Sequence, residues 1–398
     1  MAMGEVNEYF KEKYEDNQAE FKKKLRQHKL SILYRILLIA AIAIATVILV
    51  YYNYQNMVYS GYDVLRTINY AEANNARYLD LNGKLLRYSN DGASAYSMDN
   101  EMLWNETFEM QSPMVDVCDD YIAIGDYKGS SVYIFNTEGL QGTIETTTPI
   151  RSFCVSGTGN VAAVMEEDEV TWVKLYDKTG VNIASDRTTM AKSGYPVDVD
   201  ISSNGLIMAV SYLYVDSGII STSVAFYNFG AVGQNEVDNL VSGYNYSDTI
   251  VSYVEFMNAD TSFAVGDNRL EIYSGDQKPE NSFEMLLGDE VLSVFHNDTY
   301  IALVFAGAEG EKAYRLELYD TDGNVVLTQQ FDLDYSDIVI SKDMVIIYNA
   351  NECEIYNTQG LQKYSGTFKN SAITMIPTNN KTKYLLVSGD SMEEIQLK

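Results

Sequence analysis

From Tyr62 to the end of the chain, short runs of β-branched and aromatic residues alternate with clusters of turn residues. This alternation is typical of β-strands that are joined by tight turns. The runs recur as a unit, in which one run ends with an aromatic residue, then Asp, Asn or Ser, and usually Gly three positions later. The clearest copies are Phe135–Gly139, Tyr176–Gly180, Tyr319–Gly323 and Tyr356–Gly360, with a shortened copy at Tyr227–Gly230 and a looser one at Tyr273–Gly275.

The residue that follows the aromatic position marks each unit, and the markers are Ser97, Asn136, Asp177, Asn228, Ser274, Asp320 and Asn357. Successive markers are separated by 39, 41, 51, 46, 46 and 37 residues, and each interval holds four strand-like runs. Four short antiparallel strands in a unit of about 40 residues are the blade of a β-propeller. The marker side chain is expected to cap the turn, and the glycine to adopt a positive φ.

The two ends of this all-β region complement each other. The last unit supplies three strand-like runs and ends where a fourth is expected, whereas an unassigned run at 62–68 precedes the first complete unit. An outer strand contributed by the other terminus would close the ring and leave no open edge. The sequence therefore predicts an eight-bladed β-propeller over 62–398, with 62–68 as the outer strand of the last blade. Seven blades are the alternative if the first unit is irregular.

One long apolar run, 31–52, precedes a short linker at 53–61. As a helix the run rises about 33 Å, enough to cross a hydrocarbon core of about 30 Å. No small-x-small cleavage site follows it, so we expect an uncleaved transmembrane helix rather than a signal peptide. The basic cluster Lys22–Lys29 precedes the run, and the first basic residue after the end of the run is Arg66. The positive-inside rule then predicts a cytoplasmic segment at 1–30 and an extracytoplasmic propeller, anchored in the plasma membrane.

Aromatic and aliphatic residues form one stripe along the N-terminal segment, at Phe10, Tyr14, Phe21, Leu25, His28 and Ile32. The stripe predicts a helix that continues into the membrane span. Its apolar face either rests on the lipid interface or forms a short dimerising coiled coil.

The charge of the chain is unevenly distributed. The net charge of the whole chain is −28, of which residues 1–52 carry +2 (eight basic, six acidic) and 53–398 carry −30. Such a surface repels nucleic acid and favours cations or basic partners. Three scattered cysteines, Cys118, Cys154 and Cys353, do not describe a disulfide framework and are expected to be buried thiols.

The blade pattern resembles the quinoprotein-like and WD40-like propellers, through segments such as 98–104 and 318–323. The Trp-Asp signature of WD40 repeats is absent, since neither Trp104 nor Trp172 precedes Asp. The arrangement of anchor and propeller also resembles a domain-of-unknown-function family of single-pass membrane proteins from Gram-positive anaerobic bacteria. Segments 210–218 and 226–234 carry most of that resemblance. It implies a fold and a topology but no reaction or ligand.

Residues for catalysis or metal binding are few. The propeller region contains one histidine, His296, so a zinc site or a Ser–His–Asp triad is not expected. Four aspartates fall in predicted innermost strands, which line the channel of a propeller: Asp80, Asp116, Asp198 and Asp200. They are interpreted as solvated or turn-bonded carboxylates, with Ca²⁺ binding as the alternative.

The fourth unit is the longest and is rich in tyrosine. Tyrosine offers a large contact area and a hydroxyl group, so one interpretation of this unit is a binding surface. The candidate residues are Tyr212, Tyr214, Asp216, Tyr244 and Tyr246. The alternative is that they pack within and between blades.

These observations favour a non-enzymatic binding or scaffold module of the cell envelope, whose partner is a protein, a peptide or an envelope glycan. The alternatives are a wall-processing or glycan-processing enzyme with carboxylates at the channel mouth, and an envelope sensor.

Overall fold

The computed structural model describes residues 2–70, 76–168, 170–189, 193–216, 218–247 and 249–398. It divides into two units, Met1–Val58 and Tyr59–Lys398. The first contains the helix α1 (Ala2–Gln55). Within it, Phe21–Asn53 is long and apolar enough to cross a membrane. By length and composition it is compatible with a single-pass anchor or with a signal sequence.

The second unit consists of eight four-stranded antiparallel sheets, so the predicted eight-bladed propeller is confirmed. Blades 1 and 2 contain β2 (Arg77–Asp80), β3 (Leu85–Ser89), β4 (Gly92–Tyr96), β5 (Met102–Thr107), β6 (Pro113–Cys118), β7 (Tyr121–Asp126), β8 (Ser131–Asn136) and β9 (Gly139–Glu145). Blades 3 and 4 contain β10 (Ile150–Val155), β11 (Val161–Glu167), β12 (Val170–Tyr176), β13 (Asn182–Thr188), β14 (Tyr195–Ile201), β15 (Ile207–Asp216), β16 (Ile219–Asn228) and β17 (Leu240–Ser247). Two short 3₁₀ turns, Gly233–Asn235 and Val237–Asn239, lie between β16 and β17.

Blades 5 and 6 contain β18 (Val251–Phe256), β19 (Thr261–Gly266), β20 (Arg269–Ser274), β21 (Glu280–Leu286), β22 (Val291–His296), β23 (Tyr300–Ala306), β24 (Tyr314–Asp320) and β25 (Val325–Phe331). Blades 7 and 8 contain β26 (Asp337–Ser341), β27 (Met344–Tyr348), β28 (Glu352–Asn357), β29 (Gln362–Thr367), β30 (Thr374–Pro377), β31 (Lys383–Val387), β32 (Ser391–Leu397) and, from the other end of the chain, β1 (Tyr62–Asn69).

Strand exchange closes the ring in blade 8. β1 pairs with β32 from Tyr62 opposite Leu397 to Asn69 opposite Ser391. The Tyr62 side chain is buried, and its hydroxyl accepts a hydrogen bond from the Lys369 amide at 3.0 Å. The N-terminal strand therefore covers the edge that β32 would otherwise expose.

Most marker residues cap their turns through side-chain hydrogen bonds: Ser97, Asn136, Asp177, Asn228, Asp320 and Asn357. In blade 3, Asp177 Oδ1 accepts the amides of Thr179 at 2.9 Å and Val181 at 3.0 Å. Gly180 follows with a φ of +85°, and a Cβ there would lie 2.2 Å from the carbonyl oxygen of Thr143 in blade 2. Glycine at this position thus serves both the turn and the contact between neighbouring blades.

A β-bulge accompanies each marker. In blades 1 to 7 the pairing of the third strand with the fourth shifts register at the aromatic residue before the marker. Five of these seven aromatic residues are buried: Phe135, Tyr176, Tyr273, Tyr319 and Tyr356. The bulge re-aims the strand and lets a large ring fill the space between blades. The sequence repeat is therefore a packing repeat.

The first strand of each blade is the innermost one. In blades 2 to 5 these strands, β6, β10, β14 and β18, lie directly beside one another. In blades 3 to 6 the pairing of the first strand with the second also shifts register. These inner strands carry several acidic side chains, including Asp116, Asp198 and Glu255.

Candidate functional site

Four carboxylates converge on the inner strands of blades 2, 4 and 5. They are Asp116 on β6, Asp198 and Asp200 on β14, and Glu255 on β18, and we call them the acidic cluster. Asp198 and Asp200 share one strand face because side chains alternate along a strand. Asp200 is 5% exposed, whereas the other three are half-buried.

Three of these carboxylates bridge between blades through backbone amides. Asp116 Oδ2 accepts the Val155 amide of blade 3 at 2.6 Å. Asp198 and Asp200 accept the amides of Val254 at 2.8 Å and Phe256 at 2.6 Å, both in blade 5. Each bond ties the inner strand of one blade to that of another, so the aspartates are built into the ring rather than solvated freely.

Burial and mutual repulsion raise the pKa values of the cluster. Burial raises the pKa of Asp116 and of Asp198 to about 6, although backbone amides act in the opposite direction. The pKa of Asp200 is raised well above its ordinary value by burial and by the charge of Asp116. Burial, followed by the charges of Asp200, Asp116 and Asp198, does the same for Glu255. The cluster therefore retains protons at pH values where solvated aspartates are ionised.

Two thiols and a phenol lie among these carboxyl groups. Cys154 of β10 is buried, and burial together with all four carboxylates raises the pKa of its thiol. Burial and the charges of Asp119, Asp200 and Asp116 raise the pKa of the half-buried Cys118 to about 12. Burial and then Glu255 raise the pKa of Tyr253. Both cysteines are therefore neutral thiols at physiological pH and are poor nucleophiles.

His296, at the end of β22, is the basic side chain that approaches the cluster in the described part of the chain. Its Nε2 lies 3.6 Å from Glu255 Oε1, and its ring packs against Phe263 with centroids 5.6 Å apart. Burial lowers its pKa to about 4, so the imidazole is neutral at pH 7. Its buried Nδ1 has no hydrogen-bond partner among the described residues.

The hydrogen bonds of Asp116, Asp198 and Asp200 stabilise the ring by linking the inner strands of different blades. Among the residues that the structure describes, no set of three or more His, Cys, Asp or Glu side chains is arranged to hold one metal ion. The aspartates already accept bonds from the backbone, so they are engaged in the fold. Calcium binding stays a prediction.

Asp80, the fourth aspartate that the sequence places on an inner strand, lies apart from the cluster. It is exposed at the end of β2, where its Oδ1 accepts the Gly83 amide at 3.0 Å. It lines a cavity of about 480 Å³ with Arg66, Lys342 and Glu394 at the junction of blades 7, 8 and 1.

The tyrosines of blade 4 lie mostly inside the fold. Tyr212 is buried and its hydroxyl lies 3.1 Å from that of Tyr227. Tyr246 is buried and hydrogen-bonds Tyr273 at 2.6 Å, while the half-buried Tyr244 donates to the carbonyl oxygen of Pro279 at 3.1 Å.

The remaining two candidates lie near the end of β15. Tyr214 is half-buried, and the side chain of Asp216 lies outside the described part. The geometry of Tyr212, Tyr244 and Tyr246 is that of blade packing, and a binding role for the five residues stays a prediction.

The hairpin formed by β15 and β16 extends beyond its blade. Each strand has ten residues, the inner strand β14 pairs no further than Leu213, and the outer strand β17 begins its pairing at Ser221. Val215 and Asp216 therefore pair only across the hairpin, with Ile220 and Ile219. At its tip Val215, Ile219 and Ile220 are 59%, 51% and 48% exposed. We call these three residues the apolar tip.

The apolar tip points away from the face where the chain enters the propeller. Tyr62 pairs with Leu397, at the end of a third strand, where the marker turns lie. The connection between second and third strands lies at the other end of each blade, so the hairpin and the entry of the chain are on opposite faces.

Sequence reasoning missed Glu255, His296 as its neighbour, and the apolar tip. Glu255 alternates with Val254 and Phe256 on an inner strand, so the period-2 rule that links Asp198 and Asp200 could have found it. The apolar tip could have been found from Val215, Ile219 and Ile220, which lie on either side of the turn glycine Gly218. Among the residues of this unit, only the tyrosines and Asp216 were predicted as candidates.

Comparison with known families places the chain. A family of unknown function, DUF5711, matches residues 55–397. The chain belongs to this family. The function of the family is unknown, and an origin in Gram-positive anaerobes stays a prediction. A search of curated proteins finds no match.

Solved structures share the fold of this DUF5711 protein. BamB from Moraxella catarrhalis is 12% identical, with a TM-score of 0.51, over 85% of this chain and 100% of that one. The WD40 domain of SCAP from fission yeast is 12% identical, with a TM-score of 0.50, over 83% of this chain and 98% of that one. At this identity the likeness concerns the fold, which is compatible with a binding module.

Proposed function

We propose that this DUF5711 protein is a membrane-anchored, extracytoplasmic binding module whose apolar tip docks a basic segment of a partner protein in the cell envelope. The observation that carries the proposal is the exposure of Val215, Ile219 and Ile220 on a ribbon that extends beyond its blade. Exposed apolar side chains on a projecting element contribute nothing to the core and are typical of contact surfaces.

The charge around the tip supports a basic partner. The hairpin tips of the neighbouring blades lie on the same face as the apolar tip, and they carry exposed acidic side chains, Glu167 in blade 3 and Asp267 in blade 5. Residues 53–398 carry a net charge of −30. A partner that combines apolar side chains with Lys or Arg would gain burial at the tip and attraction around it.

The anchoring part of the proposal rests on α1. Its Phe21–Asn53 stretch has the length and composition of a membrane span. The basic residues Lys22, Lys23, Lys24, Arg26 and Lys29 precede the apolar run. This asymmetry supports a cytoplasmic N-terminus and an extracytoplasmic propeller.

Site-specific photo-crosslinking tests the docking surface. A photoreactive residue replaces Ile219 in the full chain in native membranes, and one at Val325, 54% exposed in blade 6, is the matched control. We expect Ile219 to crosslink one protein through a segment rich in Lys or Arg and apolar residues. Val215→Asp should reduce the yield at least tenfold without changing the melting temperature, and added salt should reduce it further.

Equal crosslinking from Ile219 and Val325 would contradict the docking surface. A product with a second copy of this chain, or with an acidic segment, would contradict the proposed partner.

Thiol labelling in intact cells tests the topology. An impermeant maleimide should label Glu309→Cys, in the β23–β24 loop, and should not label Asn17→Cys. The chain without an added cysteine gives the background from Cys118. Labelling at 17 but not at 309 would invert the orientation and remove the envelope function.

A further inference from the structure

The acidic cluster joins blade 2 to blade 3, and blade 4 to blade 5, through hydrogen bonds between side chains and the backbone. In each of three bonds a carboxylate on an inner strand holds a backbone amide of another inner strand, at 2.6 to 2.8 Å. A fourth contact, Glu255 with His296 at 3.6 Å, continues the chain of contacts to blade 6. These are polar contacts among titratable groups, made where blades otherwise meet through apolar side chains.

We propose that the acidic cluster is a proton-controlled clasp, which holds blade 2 to blade 3 and blade 4 to blade 5 most tightly when its carboxyl groups carry protons, and which loosens as they ionise. A protonated carboxyl group still accepts an amide hydrogen bond through its carbonyl oxygen. Ionisation strengthens each amide bond, but it also places several negative charges in one confined region, where burial and mutual repulsion outweigh that gain.

The groups that face the cluster add little compensating charge. They are Cys118 and Asp119 from blade 2, Cys154 from blade 3, Tyr253 from blade 5 and His296 from blade 6. The thiols and the phenol have raised pKa values and stay neutral, and Asp119 adds negative charge. His296 has a pKa lowered to about 4, so it also remains neutral when the carboxyl groups ionise.

The direction of the pH effect follows from the shifts. Asp116 and Asp198 have a folded pKa of about 6 against an ordinary value of 3.8, so their stabilising contribution is complete below about pH 4 and is lost as the pH rises through about 6. Asp200 and Glu255 are raised further, which extends the loss above pH 6. His296 has the opposite effect on stability, because its pKa is lowered from 6.5 to about 4: its contribution is lost as the pH falls through this range. Four carboxyl groups outweigh one imidazole, so the net stability falls as the pH rises.

The experiment uses the full chain in detergent at constant ionic strength. We expect its melting temperature to fall by about 5 °C or more between pH 5 and pH 7.5. Asp116→Asn with Asp200→Asn keeps an acceptor oxygen and cannot ionise, so it should remove at least half of that fall and raise the melting temperature at pH 7.5. Asp116→Asn alone should give an intermediate slope if the double variant folds poorly.

Asp177→Asn is the matched control, because Asp177 also accepts backbone amides but lies in an exposed turn. Its hydrogen bonds lower its pKa, so its contribution is lost only as the pH falls below the range tested. In this variant the melting temperature should fall with pH as steeply as in the original chain. A flat or rising melting temperature in the original chain, or an unchanged slope in the double variant, would overturn the proposal.

Amide hydrogen exchange gives a local readout that a general loss of stability would not produce. After correction for intrinsic exchange, the amides of Val155, Val254 and Phe256 should lose protection at least tenfold more than that of Ile346 in blade 7 when the pH rises from 5 to 7.5. Equal losses at all four amides would show that the cluster does not act as a clasp.

Discussion

Two parts of the ring solve the same problem, the joining of blades, with different chemistry. In blade 8 the closure depends on backbone pairing, since β1 and β32 match seven residue pairs. The inner strands of blades 2 and 3 are joined by the Asp116 side chain, and those of blades 4 and 5 by the side chains of Asp198 and Asp200, each of which accepts a backbone amide. Backbone pairing does not respond to pH, whereas carboxyl groups do. The difference shows that one repeated fold can contain a fixed junction and an adjustable one.

The largest effect should come from removing the closing strand. Replacement of residues 62–69 by a Gly/Ser segment of equal length leaves β32 with an open edge and removes the buried Tyr62. We expect a loss of more than about 4 kcal/mol, the range of the most disruptive changes, and cooperative unfolding at a much lower temperature by circular dichroism.

Replacement of residues 53–58 in the same way is the control, because this segment precedes the propeller unit. If both replacements melt at the same temperature, closure does not depend on β1.

A pair of equivalent glycines compares the packing of blades 2 and 3, beside the acidic cluster, with that of blades 6 and 7, which lie next to the closure. A Cβ at Gly180 in blade 3 would lie 2.2 Å from the Thr143 carbonyl oxygen, whereas one at Gly360 in blade 7 would lie 3.5 Å from Leu327 Cδ1. Both have a positive φ, +85° and +81°. Backbone strain therefore cancels in the comparison, and Gly180→Ala should cost about 1–3 kcal/mol more than Gly360→Ala, the usual cost of overpacking.

Urea denaturation of the two variants measures that difference. Equal losses would mean that blade 2 yields to the new methyl group, and that the region of the acidic cluster is no more closely packed than blades 6 and 7.

The smallest effect should come from the ion pairs at the closure. Lys398 pairs with Asp63, and both side chains are 59% exposed. Because exposed pairs are screened by water and salt, Lys398→Gln should change the free energy of unfolding by less than about 1 kcal/mol. A larger loss in thermal melts would show that closure depends on charge as well as on strand pairing.

The sequence predicted the features that are local or repeated. The Asp177 cap and the positive φ of Gly180 follow from the side chains of the turn itself, and the structure shows both. The same reasoning placed Asp116, Asp198 and Asp200 on inner strands. It did not reveal that they meet Glu255, because that meeting depends on the spacing of blades whose inner strands are far apart in the chain.

The tyrosines show the same limit. Composition identifies Tyr212 and Tyr246 as large amphipathic side chains, but it does not show which of them pack inside the ring. The structure buries both and exposes Val215 and Ile219, although an apolar pattern ordinarily predicts burial.

The sequence by itself determined the blade repeat, the turn chemistry and the apolar helix, because each depends on residues within about 50 positions of one another. Only the tertiary structure decided which carboxylates share one environment and which apolar residues remain uncovered. Both depend on long-range packing. The pKa of a group is set by what surrounds it in space. The exposure of the apolar tip is set by where β14 and β17 stop pairing with the hairpin. The Phe256 amide receives its acceptor from Asp200, 56 residues earlier in the chain, and no local pattern encodes that bond.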